Sequence, residues 1–157
     1  MRILIVEDDE NKRRHLSSFI LSELPQPTIT EARSYQSGLR RILEGPFDLV
    51  LLDIDMPTFD IGVGEDGGRP QPFGGREILR QMRRRKIVLP VVVVTQFDRF
   101  GAGEEELTLA EISRELQVEH SESYRGTVYY DASLASWKAE LHEILSVVLN
   151  SVCGSEE

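Results

Sequence analysis

Phe47-Asp48-Leu49-Val50-Leu51-Leu52-Asp53-Ile54-Asp55-Met56-Pro57 is the stretch on which the fold turns. The apolar run 47–52 is short, nearly continuous and closed by a turn signal, the pattern of a strand buried on both faces. Such strands belong to parallel sheets, whose connections must be crossovers, usually helical. The run also delivers Asp53, Ile54 and Asp55 at its C-terminal end. Two carboxylates at the end of a buried strand are the chemical centre of the chain.

Working toward the N-terminus, residues 34–44 predict a helix with Leu39, Ile42 and Leu43 inward, stopped by Gly45-Pro46. Residues 28–32 are strand-like. Residues 11–24 place Leu16, Phe19, Ile20 and Leu24 at helical spacing, with Pro25 and Pro27 ending the run. Ile3-Leu4-Ile5-Val6 is a second buried strand, followed at once by Glu7, Asp8 and Asp9.

Toward the C-terminus, Gly62, Gly64, Gly67, Gly68, Gly74 and Gly75 are half of the chain's 12 glycines, so 58–74 reads as a long loop beside Asp53. A helix over 75–85 follows, with Ile78, Leu79 and Met82 inward. Its basic end, Arg83-Arg84-Arg85-Lys86, complements the negative pole of a helix. The run 87–94 is a strand ending at Thr95, central only in its later part because Pro90 has no amide to donate. A connection over 96–106, a helix over 108–117 with Leu109, Ile112 and Leu116, a strand over 126–130 and a helix over 135–150 burying Trp137, Leu141, Ile144, Leu145 and Val148 complete the chain.

Five strands alternating with five helices imply an α/β, doubly wound, five-stranded parallel sheet. With 157 residues, the prior is a single domain over 1–150 followed by a short polar tail, 151–157. No stretch approaches the roughly 18 apolar residues of a membrane span, and the N-terminus lacks the features of a signal peptide, which places the chain in the cytoplasm. A net charge of −9 argues against direct binding to nucleic acid or to an anionic membrane. The lone Cys153 has no internal disulfide partner and reads as incidental.

Ligands of such sheets collect at the carboxyl ends of the strands, near the point where strand order reverses. Glu7 and Asp8 end strand one, Asp53 ends strand three and Thr95 ends strand four. Clustered carboxylates repel one another unless a cation neutralises them, and a hard-oxygen set suits Mg²⁺ or Mn²⁺ rather than zinc. A carboxylate beside such an ion can attack phosphorus, which makes Asp53 a candidate phosphoacceptor and Thr95 a candidate hydrogen-bond donor to a phosphoryl oxygen. Taken one at a time, Glu7, Asp8 and Thr95 are equally readable as caps and strand ends.

These segments, in this order, resemble the receiver domain of two-component response regulators: Ile3 through Glu10 its first strand and acidic pair, Asp48 through Pro57 its acceptor strand, Leu89 through Thr95 its fourth strand with the switch hydroxyl. The resemblance implies a flavodoxin-like fold and a phosphoprotein of a phosphorelay. Asp53 would accept a phosphoryl group from a histidine kinase or phosphotransfer protein, and a downstream protein would read the result. It also implies Asp8, Asp53 and the backbone carbonyl of Asp55 as metal ligands, with Glu7 acting through water, and leaves a homodimer open. Self-phosphorylation and autodephosphorylation at Asp53 are the most catalysis it implies.

Three departures stand out. The family carries a lysine at the end of strand five, where this chain reads Val128-Tyr129-Tyr130-Asp131. Tyr130 stands at that position, and no other lysine is expected to reach the pocket, since Lys138 belongs to the last helix. Tyr129 or Tyr130 is a candidate signalling aromatic. The 58–74 segment reads as an insertion, and the link over 96–124 is longer than the family needs. The missing lysine keeps open a pseudo-receiver that binds partners without phosphotransfer. A more distant reading is a haloacid-dehalogenase-like phosphatase using Asp53 and Asp55.

Overall fold

The apolar runs all enter one parallel sheet: β1 (Arg2–Val6), β2 (Thr28–Ala32), β3 (Leu49–Leu52), β4 (Val91–Thr95) and β5 (Tyr124–Tyr129), in the order β2-β1-β3-β4-β5. The computed structural model describes residues 1–57, 70–71, 74–101 and 103–154. Helices α1 (Glu10–Glu23), α2 (Tyr35–Glu44), α3 (Gly74–Arg84), α4 (Leu109–Glu119) and α5 (Ser136–Gly154) make the connections. The doubly wound sheet expected from the sequence is the one observed.

Side chains alternate across the sheet because strand geometry has a period of two. Leu4, Val6, Val50, Leu52, Val91 and Val93 face a core completed by Ile78, Leu79 and Met82 of α3 and by Ile112 and Leu116 of α4. Ile3, Ile5, Leu49, Leu51, Val92 and Val94 face the other core, closed by Leu16, Phe19 and Ile20 of α1 and by Trp137, Leu141, Leu145 and Val148 of α5. Burial on both faces explains why these strands read as continuous rather than alternating apolar runs.

Several boundaries move. β4 begins only at Val91, after Pro90, and Val88 is exposed. β5 starts two residues earlier than the apolar pattern indicates. α5 continues through Gly154, so residues 151–154, expected in a polar tail, are helical. Leu43 is exposed, against the expectation that it faces inward. The buried positions of α2 are Ser37, Gly38 and Ile42, and a Cβ on Gly38 would stand 2.7 Å from Val6 Cγ1. The long 96–124 link holds α4 and a two-residue antiparallel ladder that pairs Arg99-Phe100 with Leu107-Thr108. Most of the glycine-rich segment, 58–69 and 72–73, lies outside the described residues. Its flanks pair, Met56 with Gln71 and Pro57 with Pro70. Among the described residues no helix is long and apolar enough to cross a membrane.

Strand order reverses between β1 and β3, the neighbours that part the chain's crossovers to opposite faces. Val6 is registered with Leu52, so the next residues, Glu7 and Asp53, emerge side by side from the sheet edge.

Candidate functional site

Backbone bonds fix both emerging residues: the Asp53 amide donates to the Val6 carbonyl at 3.1 Å, and the Glu7 amide to the Ala32 carbonyl at 2.9 Å. Asp9 caps α1, its side chain accepting from the Lys12 amide at 2.9 Å. Arg13, itself buried, donates from its guanidinium to the Glu7 carbonyl at 2.9 Å. On the other side α3 begins against the acceptor strand. The Gly75 amide donates to the Ile54 carbonyl at 2.9 Å, and a Cβ at Gly75 would lie 2.2 Å from the Asp53 carbonyl oxygen. That close approach makes Gly75 part of the site's frame rather than a loop glycine.

Carboxylate oxygens of Glu7, Asp8 and Asp53 lie within 4.8 Å of one another. Asp53 is only 2% exposed, Glu7 is buried, and Asp8 faces solvent. One oxygen of Asp53 accepts from the Ile54 amide at 2.7 Å. One oxygen of Glu7 accepts from the Asp9 amide at 3.1 Å. An oxygen-only set open to solvent at Asp8 fits a hard divalent cation with room for water.

The pocket also contains a cation that the sequence reading missed. Lys12, 1% exposed, extends from the first turn of α1 and ion-pairs with Glu7 Oε2 and with Asp53 Oδ2, the latter at 3.1 Å. It also donates to the Val94 carbonyl at 2.8 Å. One ammonium therefore meets three oxygens, two carboxylates that follow β1 and β3 and one carbonyl of β4. The expectation that no lysine reaches the site is thereby corrected. The signal was spacing: Lys12 lies on the same inward stripe as Leu16 and Ile20, one helical turn ahead.

The electrostatics follow from this crowding. Burial, reinforced by the Asp53 charge, pushes the Glu7 carboxyl up to about 9 against the pull of Lys12. Asp8, although exposed at the rim of the pocket, is raised by partial desolvation against its neighbours and then by the Asp53 charge. Asp55, half-buried, is raised by burial and then by the charges of Asp53 and Asp8. Burial works against the Lys12 ammonium, but the charges of Asp53 and Glu7 outweigh it and hold Lys12 above its ordinary value.

Thr95 ends β4 fully buried, with its hydroxyl oxygen accepting from the Phe97 amide at 3.3 Å. The two tyrosines separate: Tyr129 is exposed and Tyr130 is 3% exposed. The Tyr130 amide donates to the Thr95 carbonyl at 2.7 Å, so its backbone stands at the end of strand five as expected. Its side chain leans onto α1 instead of into open space. The hydroxyl meets His15 Nδ1 at 2.5 Å, the ring lies 5.1 Å from Trp137, and Lys12 Nζ sits 5.9 Å from the ring centroid.

Comparison with known proteins gives a concordant result. The family model for the response regulator receiver domain matches residues 3–110. The Detocs response regulatory protein DtcB of Enterobacter cloacae is 29% identical over 143 residues, covering 90% of this chain and 95% of that protein. The uncharacterized protein y4jR of Sinorhizobium fredii is also 29% identical over 143 residues, covering 90% and 94%. Among solved structures, the receiver domain of the Francisella response regulator 1452 superposes with a TM-score of 0.63 at 16% identity, covering 96% of this chain and 98% of that one. The Thermotoga maritima response regulator TrrA in complex with Mg²⁺-BeF gives 0.56 at 22% identity, covering 91% and 97%.

Proposed function

Because the chain belongs to the response regulator receiver domain family, we propose that it accepts a phosphoryl group on Asp53 and signals through contacts with other proteins. The observation that carries this reading is the Asp53 carboxylate, 2% exposed at the end of β3, which belongs to an acidic cluster and ion-pairs with a buried ammonium. Asp8 and Asp53, with the Asp55 carbonyl and with Glu7 through water, would hold Mg²⁺ or Mn²⁺, and the ion would neutralise charge on the phosphoryl oxygens. The Mg²⁺-BeF complex of the Thermotoga protein supports that assignment by likeness of fold.

The donor is a phosphohistidine of a kinase or phosphotransfer protein. An Asp53 oxygen forms a bond to phosphorus as the P–N bond breaks. The electron pair returns to the imidazole nitrogen, which takes a proton from solvent, and an acyl phosphate remains on Asp53. Thr95, released from the Phe97 amide, turns its hydroxyl proton toward a phosphoryl oxygen and carries the change into the segment after β4. We place this chemistry in the cytoplasm, with a single stand-alone domain acting on a downstream protein. The match to nearly the whole length of the Enterobacter relative supports the stand-alone reading.

Intact-mass measurement tests the proposal. Incubation with a small-molecule phosphodonor and Mg²⁺ is expected to add one phosphoryl group to the wild type and none to Asp53→Asn. A wild type that gains no mass, while remaining folded, overturns it. The pseudo-receiver alternative drew its support from the missing strand-five lysine, and Lys12 beside Asp53 weakens that support.

A further inference from the structure

Lys12 is costly where it stands. A buried ammonium needs full compensation, and an aliphatic residue would extend the Leu16 and Ile20 stripe of α1 without any such need. What Lys12 provides instead is a positive charge 3.1 Å from the carboxylate read here as the phosphoacceptor, anchored to the carbonyl next to Thr95. At the end of β5, where this family's lysine would stand, Tyr130 turns toward α1 and packs its ring beside the Lys12 ammonium. The two side chains therefore approach the same space from opposite supports. The aromatic body fills the volume beside β5, and the charge arrives from the helix.

We propose that Lys12 is the phosphoryl-binding cation of this protein, carried on the first helix in place of the fifth strand. The proposal rests on Asp53 being the acceptor. When Asp53 is phosphorylated, Lys12 exchanges part of its contact with the carboxylate for a phosphoryl oxygen, a hydrogen bond carrying the positive charge that the neutral hydroxyls of Tyr130 and Thr95 do not supply. Because Lys12 lies in the first turn of α1, the phosphoryl group then pulls directly on that helix. In this arrangement α1 senses the covalent state of the site through its own side chain.

The test uses the full chain with acetyl phosphate and Mg²⁺, following Asp53 labelling by intact mass and beryllofluoride binding by Trp137 fluorescence. Wild type is expected to label and Asp53→Asn to remain unlabelled. Lys12→Met is expected to slow labelling and weaken beryllofluoride binding by about tenfold or more, the scale for removing one charged donor from developing charge. Its affinity for Mg²⁺ alone is expected to rise, because the ammonium and the metal compete for the same carboxylates. Restoring a lysine from the other support, in Lys12→Met/Tyr130→Lys, is expected to recover part of both signals.

A folded Lys12→Met protein that labels and binds beryllofluoride as wild type does would overturn the proposal while leaving Asp53 as acceptor. A wild type that neither labels nor responds to beryllofluoride would overturn the receiver function, and the role of Lys12 with it. Should Lys12→Met fail to fold, carbon-13 NMR of the wild type decides. The chain has three lysines, Lys12, Lys86 and Lys138, so their side-chain resonances are resolvable. Beryllofluoride is expected to move the Lys12 resonance in wild type and not in Asp53→Asn, and a stationary resonance would overturn the assignment.

Discussion

The two faces of the sheet meet the pocket with different materials. On the face covered by α2, α3 and α4, the surroundings of Asp53 are apolar and backbone: Ile54, Met56 and Ile78 in the core, and Gly75 pressed against the Asp53 carbonyl. On the face covered by α1 and α5, a charged and aromatic series runs outward from Asp53 through Lys12 and Tyr130 to His15 and Trp137. The first face responds to volume, because packed backbone has nowhere to move. The second responds to charge. A phosphoryl group brings both, so the difference predicts that α1 and α5 follow the charge of the site while α3 sets its shape.

The sharpest way to break this comparison is to remove the charge. Lys12→Met leaves Glu7 and Asp53 buried without their cation, and breaking a buried ion pair from one side costs about 3–5 kcal/mol. Urea unfolding followed by circular dichroism measures the loss, and adding Asp53→Asn should return part of it. A loss under about 1 kcal/mol would mean that water reaches the carboxylates readily, against the dry, charge-sensitive character given to this face.

The matching perturbation on the other face is steric. Gly75→Ala places a methyl group 2.2 Å from the Asp53 carbonyl oxygen, so α3 or the acceptor strand must shift. The expected cost is about 1–3 kcal/mol, the scale of overpacking. Gly38→Ala, also on this face, meets a Val6 methyl at 2.7 Å instead of backbone. Side chains relax more readily than backbone, so Gly38→Ala should cost less. Equal losses would show that the backbone around Asp53 yields as easily as a side chain.

Acidity gives a third test. Glu7 is raised from an ordinary 4.5 to about 9, so between those values the folded protein holds a proton that the unfolded chain has released. Stability without metal is then fullest below about pH 4.5 as far as Glu7 is concerned, and falls as pH rises toward 9. Divalent cation binding competes with the same proton. Mg²⁺ should bind more tightly as pH increases through neutrality, by up to about tenfold per pH unit if one proton is displaced. Calorimetry in buffers of different ionisation enthalpy counts the released proton directly, and pH-independent binding without proton release would count against the shift.

Much of this was legible in the chain, for a physical reason. Strands buried on both faces write themselves as apolar runs, and residues that end such strands share one edge of a parallel sheet. Glu7, Asp8 and Asp53, which the sequence pattern places at one edge, do lie together. Lys12 is not placed there by the pattern, because its acceptors come from three strands distant in sequence, and beside Arg13 and Arg14 it looks like part of a solvated basic face. The inward stripe is the available clue, and it is a weak one because lysine is almost never fully buried unless it is paired. Leu43 failed in the opposite sense: its apolar character suggested burial, but the close packing of Gly38 on Val6 turns α2 so that Leu43 faces water.

The smallest expected effect lies at the outer end of the charged series. Tyr130→Phe keeps the ring against Trp137 and Lys12 and removes only the hydroxyl that meets His15. His15 is exposed, so water can replace the lost partner, and the net value of such a bond is about 0.5–1.5 kcal/mol. Thermal unfolding should show a loss at the lower end of that range, well below that of Lys12→Met. The contrast follows from solvent access: the same helix carries one polar contact that water can reach and one that it cannot. If Tyr130→Phe instead destabilised the protein as much as Lys12→Met, the hydroxyl would be holding α1 in place. The series from Asp53 to His15 would then behave as one mechanical unit rather than as a buried charge with a solvated outer end.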